Sequence, residues 1–505
     1  MSQKAEKNGE NVGSVELIES GGYGNIFRKI IVDPSDPSKQ KTKSIAIKQM
    51  DLDKEAPFFA TLKEVNTLRV FRHPHIVTFQ KVRILNPRRK STNLKSYKVE
   101  VEMDFWDDDL HRFMKRVYPN GMSVKDSFRL LSQIISGLMF LHSNEIYHLD
   151  LKPANILVNL KGKTDEVNIV SICDFGCGTY HYFDNVVNIG TVNCRPIENF
   201  VHLAKGALLK KINDTVGDGC YYSAKTDVWA CGCLLIFLLT GKNLLFPEGD
   251  FSYEFPERRI EQFMNSPEKY ISGFLDSING KFDLKTKEKE RVLSLLLSML
   301  SLKPDERPIL DIIIKNDFFS SYKEYFQIKG YLFKPLYTNV NFSEDQLKSF
   351  KQLILSGMPF LTLSDCVYKT AMTALDLALR LLVVQKSFDF LDLSACVRLA
   401  FIFFENYEEN AYNFCNKKYT MNQIDLKCLQ ILDILKGYLI IATPFSKCST
   451  ANDVDCLLDS YFKITDYFNW KPKTELVGSS PLIKKTWAEV MKHSQLFKPA
   501  SAPKS

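Results

Sequence analysis

Between residues 15 and 50, and again between 76 and 105, short β-rich runs alternate with polar breaks. SIAIKQM (44–50) and YKVEVEMDFW (97–106) carry the period-of-two pattern of strands with one covered face, which predicts an antiparallel sheet. A single helical pattern, ATLKEVNTLRVF (60–71), interrupts it. The Pro- and Lys-rich stretches 33–44 and 86–96 read as exposed hairpin loops. From 107 to 319 the helical period dominates, with a break over 150–195 where polar motif residues concentrate. The aromatic-rich stretch 321–342 reads as a linker, and 343–470 returns to an almost wholly helical pattern ahead of a polar tail, 471–505. A small sheet-rich part, a larger helical part and a separate helical unit are therefore expected.

Composition changes this picture little. At 505 residues the chain exceeds what one hydrophobic core holds. With 45% hydrophobic and 25% charged residues it is ordinary globular protein. A net charge of +7 is too mild and too scattered for a nucleic-acid footprint. The longest apolar runs, CLLIFLLTG (233–241) and VRLAFIFF (397–404), are too short to span a bilayer and read as buried helices. Twelve cysteines in mostly apolar surroundings, with no metal-like pairing and no leader pattern, point to reduced thiols and a cytoplasmic or nuclear, intracellular setting.

The chemistry lies in a few short stretches. ESGGYGNIF (19–27) would turn a hairpin whose backbone N–H groups can approach phosphates, or would be a plain glycine turn. IAIK (45–48) ends a strand on Lys48, and Glu64 on the next helix is its natural counter-charge; such a pair can hold an ammonium against nucleotide phosphates. HLDLKPAN (148–155) offers Asp150 to accept or orient the proton of an attacking hydroxyl, Lys152 to balance charge on a moving phosphoryl group, and Asn155 as a metal ligand. ICDFG (172–176) supplies a second metal ligand, Asp174. Phosphoryl transfer demands cation placement more than covalent chemistry, and this set is sufficient for it.

In this order, and with RPIE (195–198), TDVWACG (226–232, Asp227) and PDERP (304–308), where Arg307 would partner Glu198, residues 14–320 resemble the eukaryotic protein kinases. PFFATLKEVNTLRVFRHPHIV (57–77) and MDFWDDDLHRFM (103–114) resemble the cyclin-dependent members in particular. The resemblance implies an α+β, bilobal kinase fold with a small lobe over 14–105 and a large lobe over 106–320, serving ATP and Mg2+. It implies a nucleotide site of Glu19, Gly21, Gly22, Tyr23, Gly24, Ile26, Ala46, Lys48, Leu157, a gatekeeper Met103, an adenine hinge Asp104, Phe105 and Trp106, and a ribose-facing Asp109. Lys152 and Thr191 imply serine/threonine substrates.

The departures agree with one another. Where the family holds an activation-loop phosphate with three arginines, this chain has Lys63, Leu149 and Thr179, and the phosphorylated position falls on Val186. The loop is therefore expected to be ordered by packing or by a partner. The stretch between Glu198 and Asp227 is longer than the family pattern and carries Lys205, Lys210 and Lys211, as a surface loop or an acidic-substrate contact.

In the C-terminal unit, TALDLALRLL (373–382), SACVRLAFIFFENYEEN (394–410) and YTMNQIDLKCLQILDIL (419–435), with the phrases NYEE, YTMNQI and ATPF, resemble the cyclin box over about 345–465. Positions that form its kinase-facing ion pair hold Asn406 and Cys428. The resemblance implies an activator fused in cis and docked on the helix around Glu64, with protein substrates and neither nucleic acid nor membrane as partners. A linker of about 22 residues spans about 25 Å on average and reaches roughly 70 Å, giving an effective concentration on the order of millimolar. A catalytically silent scaffold, and a free kinase with an unrelated helical domain, remain open alternatives.

Overall fold

A computed structural model of the chain describes residues 12–21, 24–32, 42–52, 55–85, 93–162, 164–178, 183–184, 190–216, 221–245, 256–277 and 286–332, and in the C-terminal region 373–374, 377–378, 381, 389–404, 418–437 and 439. The chain divides into two compact units: Met1–Arg72 with Phe79–Met103 and Tyr331–Ser505, and His73–Thr78 with Asp104–Gly330.

The first unit is built on a five-stranded sheet of order β1-β2-β3-β6-β5, from β1 (Val12–Gly21), β2 (Gly24–Val32), β3 (Thr42–Asp51), β5 (Phe79–Leu85) and β6 (Lys98–Asp104). The expected β-hairpin is there: β1 pairs antiparallel with β2, and β2 with β3. In β3, Ile45 and Ile47 alternate into the core as a half-covered strand requires. Helix α1 (Glu55–Val70) buries Phe58, Leu62, Val65 and Leu68, the spacing of one helical face. Its polar residues Thr61, Lys63, Asn66 and Thr67 are buried too, so a second layer covers the helix. β4 (Phe71–Arg72) follows it and pairs with β12 (Tyr331–Leu332).

That second layer comes from the C-terminal region. Helix α11 (Phe390–Phe404) is apolar almost all round and buried from Asp392 to Phe403, as its pattern predicts. It packs on α12 (Met421–Ile434), whose start is fixed by a capping box between Thr420 and Gln423. Arg398 is ion-paired with Asp425 at 3.2 Å, and its guanidinium lies 4.8 Å from the ring centre of Phe59 on α1. Arg69 donates from Nε to the Lys436 carbonyl at 3.0 Å, and the Leu439 amide donates to Asn66 Oδ1 at 3.0 Å. The Leu94 amide donates to Asn422 Oδ1 at 3.1 Å. Cys428 turns into the helix pair, its thiol 3.5 Å from the Ala395 carbonyl. Asn406 lies outside the described residues.

The second unit is helical around a three-stranded sheet of β7 (Asp108–Asp109), β8 (Ile156–Leu160) and β9 (Val167–Ile172). Helices α2 (Leu110–Val117) and α3 (Val124–Ser143) precede the sheet's long hairpin; α4 (Gly206–Val216) and α5 (Ala224–Thr240) follow it. Short strands β10 (Phe183–Asp184) and β11 (Tyr221–Tyr222) pair antiparallel. The run 233–241 is the interior of α5, buried from Thr226 to Thr240, capped by Ser223 and ended by Gly241. No helix of the described residues is long and apolar enough to cross a membrane.

Two expected boundaries move. His73–Thr78, placed with the small lobe, belong to the second unit, because the Val77 amide donates to the Ile172 carbonyl (3.0 Å) and the Ile172 amide to the His75 carbonyl (2.9 Å). Asp104 and Phe105 also fall there. The expected linker 321–342 is packed over 321–332: Tyr322 donates to the Lys125 carbonyl at 2.8 Å, Ser136 to the Tyr325 carbonyl at 2.5 Å, and β12 pairs with β4. Its aromatic residues are what anchor it; 333–342 lies outside the described residues.

Candidate active site

The first unit contributes a charge pair on a sheet. Lys48 is buried in β3, opposite Ile26 of β2, which itself faces Glu19 of β1; Ala46 faces Arg28. Gly21 and Gly24 close the β1–β2 hairpin, while Gly22 and Tyr23 lie outside the described residues. Gly24 has φ +133°, and a Cβ there would stand 2.1 Å from the Gln49 carbonyl oxygen, so only glycine fits. Lys48 Nζ lies 2.9 and 2.7 Å from the two oxygens of Glu64 on α1, with side-chain exposures of 10% and 3%. A lysine this buried needs that partner, and a point charge on a flexible stem can be shared with a phosphate. Met103, the expected gatekeeper, is buried in β6 opposite Phe79.

The second unit holds the polar stretch 148–155. Asp150 Oδ2 accepts from Lys152 Nζ at 2.8 Å, and its Oδ1 from the Thr191 amide at 2.6 Å. Lys152 also donates to Thr191 Oγ1 at 2.7 Å, and Asn155 Nδ2 donates to the Asp150 carbonyl at 2.8 Å. Lys152 and Asn155 thus both lie against the Asp150 carboxylate. Burial works to lower the Lys152 pKa, but the charges of Asp150 and Asp174 outweigh it and raise it, which keeps the ammonium charged.

A buried carboxylate holds this loop in shape. Asp227, at the start of α5, accepts the His148 amide (2.9 Å), the Leu149 amide (2.9 Å) and His142 Nε2–H (2.8 Å). Burial alone would raise its pKa; the hydrogen bond and charge of His142, with His148, hold it below the usual carboxylate range. His148 Nε2 donates to the Cys173 carbonyl at 3.0 Å and its Nδ1 accepts the Asp150 amide at 3.3 Å, tying the two motif stretches together. Leu149 and Asp174 both have positive φ, +64° and +65°, a strained conformation for such residues that recurs at functional sites.

Asn155 and Asp174 offer hard oxygen donors, suited to magnesium. Asn155 spends its amide N–H on Asp150, which turns its side-chain oxygen outward from that bond as a donor for a cation. Among the described residues no cluster of three or more His, Cys, Asp or Glu could hold a metal alone. Of the hinge, Asp104 donates its amide to the Thr78 carbonyl at 3.1 Å, and Phe105 and Trp106 are half-buried. Asp109 caps α2, with Oδ1 on the Arg112 amide (2.9 Å) and Oδ2 on Arg112 Nε (3.0 Å), so a ribose would have to share it. Leu157 lies opposite Asp109 in the sheet.

Residues 15–319 match the family described as the protein kinase domain. The chain belongs to the protein kinase family. Among curated relatives, this chain is 26% identical to mouse (Mus musculus) cyclin-dependent kinase-like 2 over 61% of its own length and 50% of the relative's. It is 27% identical to the human (Homo sapiens) form, covering 61% and 57%. It is 24% identical to mitogen-activated protein kinase 19 of Arabidopsis thaliana, covering 58% and 46%. The chain spans about half the length of these relatives. Family membership carries the bilobal fold and, in general, the use of ATP and magnesium.

A second buried pair marks this kinase's frame. Arg307 meets Glu198 through two bonds of 2.6 and 2.7 Å, donates to the Ser301 carbonyl and stacks 4.8 Å from Trp229, as the RPIE and PDERP motifs implied. Sequence reasoning missed the pairing of His142 with Asp227 and the place of Tyr222, which is fully buried against Leu149. Their partners lie far apart in the chain, and no local pattern signals them. Thr179 and Val186 lie outside the described residues, while Lys63 is buried on α1.

Proposed function

We propose that the chain is an ATP-dependent serine/threonine protein kinase of cyclin-dependent-kinase-like type. The observation that carries the reading is the convergence of Lys152, Asn155 and Thr191 on Asp150. Asp150 orients a substrate hydroxyl and takes up its proton; Lys152, kept charged, balances the transferred group; Lys48, fixed by Glu64, holds nucleotide phosphates. Magnesium held by Asn155 and Asp174 would neutralise charge on the phosphate oxygens. ATP turnover should fall by about 10²- to 10⁴-fold in Asp150→Asn. Equal turnover in wild type and variant would favour a silent scaffold instead.

We further propose proline-directed choice. The Gly190 carbonyl is engaged by Arg195 Nη2 at 2.5 Å, beside a pocket lined by Leu149, Thr191, Cys194 and Pro196. A substrate residue following the acceptor hydroxyl then finds that carbonyl already taken, and proline, which has no N–H to satisfy, loses least. Peptides with Ser-Pro should outperform Ser-Ala in kcat/KM; equal rates would end this part.

The C-terminal region is proposed to act as a cyclin-like activator in cis. What supports this is the covering of α1, the helix of Glu64, by Arg398, Lys436 and Leu439. A partner that fixes Glu64 permanently would also suit a loop without phosphate-binding arginines. Deleting residues 343–505 should abolish most activity, whereas unchanged activity would favour a free kinase with an unrelated helical domain.

A further inference from the structure

Leu149 reaches in two directions. Its side chain is buried with Tyr222 in a small apolar cluster, against which Tyr147 and Val201 pack. Its backbone is fixed at φ +64°, donates its amide to Asp227, and lies against Gly190, where an added Cβ would stand 2.7 Å from the Leu149 carbonyl oxygen. The next residue on one side is Asp150, and the residue after Gly190 is Thr191, whose amide binds the Asp150 carboxylate. Tyr222, at the other end of the contact, belongs to β11, and its backbone pairs with Phe183 of β10, in the segment that follows the DFG stretch. A continuous line of contacts therefore runs from the β10–β11 ribbon through Tyr222 and Leu149 to Asp150 and Thr191.

We propose that Tyr222 is a positioning residue that acts through Leu149: an apolar latch that holds the β10–β11 ribbon and sets the catalytic carboxylate. It rests on the kinase reading for its effect on turnover, but not for its effect on the ribbon. Two features of the chain argue for it. At Leu149 an arginine able to bind a loop phosphate is absent, and the side chain present is suited only to apolar burial. The partner comes from the stretch between Glu198 and Asp227, where β11 lies between α4 and α5. A charge-based tie weakens as salt rises, because exposed charges are screened; an apolar contact does not. The latch therefore predicts a β10–β11 ribbon whose pairing is indifferent to phosphatase and to salt.

The test uses full-length protein and two independent readouts. In the Asp150→Asn background, amide exchange at 183–184 and 221–222 is compared with and without Tyr222→Ser. Protection should fall by about tenfold or more with Tyr222→Ser, and Tyr222→Phe, which keeps the ring, should restore it. With Asp150 intact, Tyr222→Ser should lower kcat by about 10- to 100-fold with KM for ATP unchanged, and Tyr222→Phe should recover most of it. Tyr222→Leu, which keeps apolar bulk, serves as second variant should the serine form not fold, and is expected between the two. Unchanged protection in Tyr222→Ser would overturn the latch, as would a fall in kcat with protection intact. Absence of turnover in the wild type would strike the kinase reading and leave the exchange result to decide the latch.

Discussion

The two halves of the catalytic set are braced from different parts of the chain and with different chemistry. In the second unit, the loop of Asp150 is held by Asp227, a fully buried carboxylate with donors from His142, His148 and Leu149. In the first, the helix of Glu64 is held by the Arg398 guanidinium over Phe59 and by single hydrogen bonds from residues 367 and 373 positions further on, Arg69 to Lys436 and Asn66 to Leu439. A buried charge with all its acceptors used is close to all-or-none, since losing one partner leaves others unpaired in low dielectric. A set of single hydrogen bonds and packed side chains can be loosened by degrees. The difference teaches where control fits: the loop of Asp150 is fixed through one buried carboxylate, and adjustment belongs where the C-terminal helices meet α1.

The largest expected effect tests the rigid half. Asp227→Asn keeps the shape but turns an NH2 toward N–H groups that need acceptors. It should cost roughly 3–5 kcal/mol of stability in urea unfolding and lower kcat with the ATP KM little changed. A loss below about 1 kcal/mol would mean that Asp227 is no stronger a brace than an ordinary hydrogen bond, and the contrast between halves would fail.

What was legible in the sequence follows the same division. Asp150, Lys152 and Asn155 lie within six positions, so their spacing alone brings them together, and the structure joins them at 2.8 to 3.3 Å. Lys48 and Glu64 needed the resemblance to a family as well, because a strand and a helix must pack before the pair exists. The Asp227 network and the Leu149–Tyr222 contact join residues more than seventy positions apart, and no periodicity encodes them. The linker was misjudged because Tyr322 and Tyr325, read as features of an irregular stretch, are anchors on α3 and its neighbours. In the C-terminal region helices were legible, but the contacts to α1 through Arg398, Lys436 and Leu439 were not signalled by any local pattern.

The next effect concerns acid. His73 is pushed down from 6.5 to about 4, first by burial and then by the charge of His75, against a hydrogen bond to the Ile328 backbone. His75 is lowered in the same way by burial. Around His73 lie the Phe140 ring, Ser136 and His75, with Tyr325 beside His75, and no carboxylate is among these contacts. With a folded value below the unfolded one, the unfolded chain binds more protons in between. Stability is therefore intact above about 6.5 and lost as pH falls toward 4, by up to roughly 3 kcal/mol for His73. Among the described residues every histidine lies in the second unit. Exchange protection in α3 should consequently collapse before that in β2 and β3 as pH falls from 7 to 4; the reverse order would break the placing of acid sensitivity in the second unit.

The smallest effects test the graded half. Asn66→Ala removes the acceptor of a buried amide, that of Leu439, and should cost about 1–3 kcal/mol. Arg69→Ala removes an exposed bond to the Lys436 carbonyl and a guanidinium 5.2 Å from the Phe79 ring, which together are worth about 1 kcal/mol. Neither change touches Lys48, Glu64 or their 2.7 Å contact directly. If the C-terminal helices set the position of α1, each variant should still raise the KM for ATP, Asn66→Ala more than Arg69→Ala, because a helix free to shift moves Glu64 away from Lys48 and leaves the ammonium without its guide. Loss of stability with KM unmoved would make the helices a cover for α1 and nothing more.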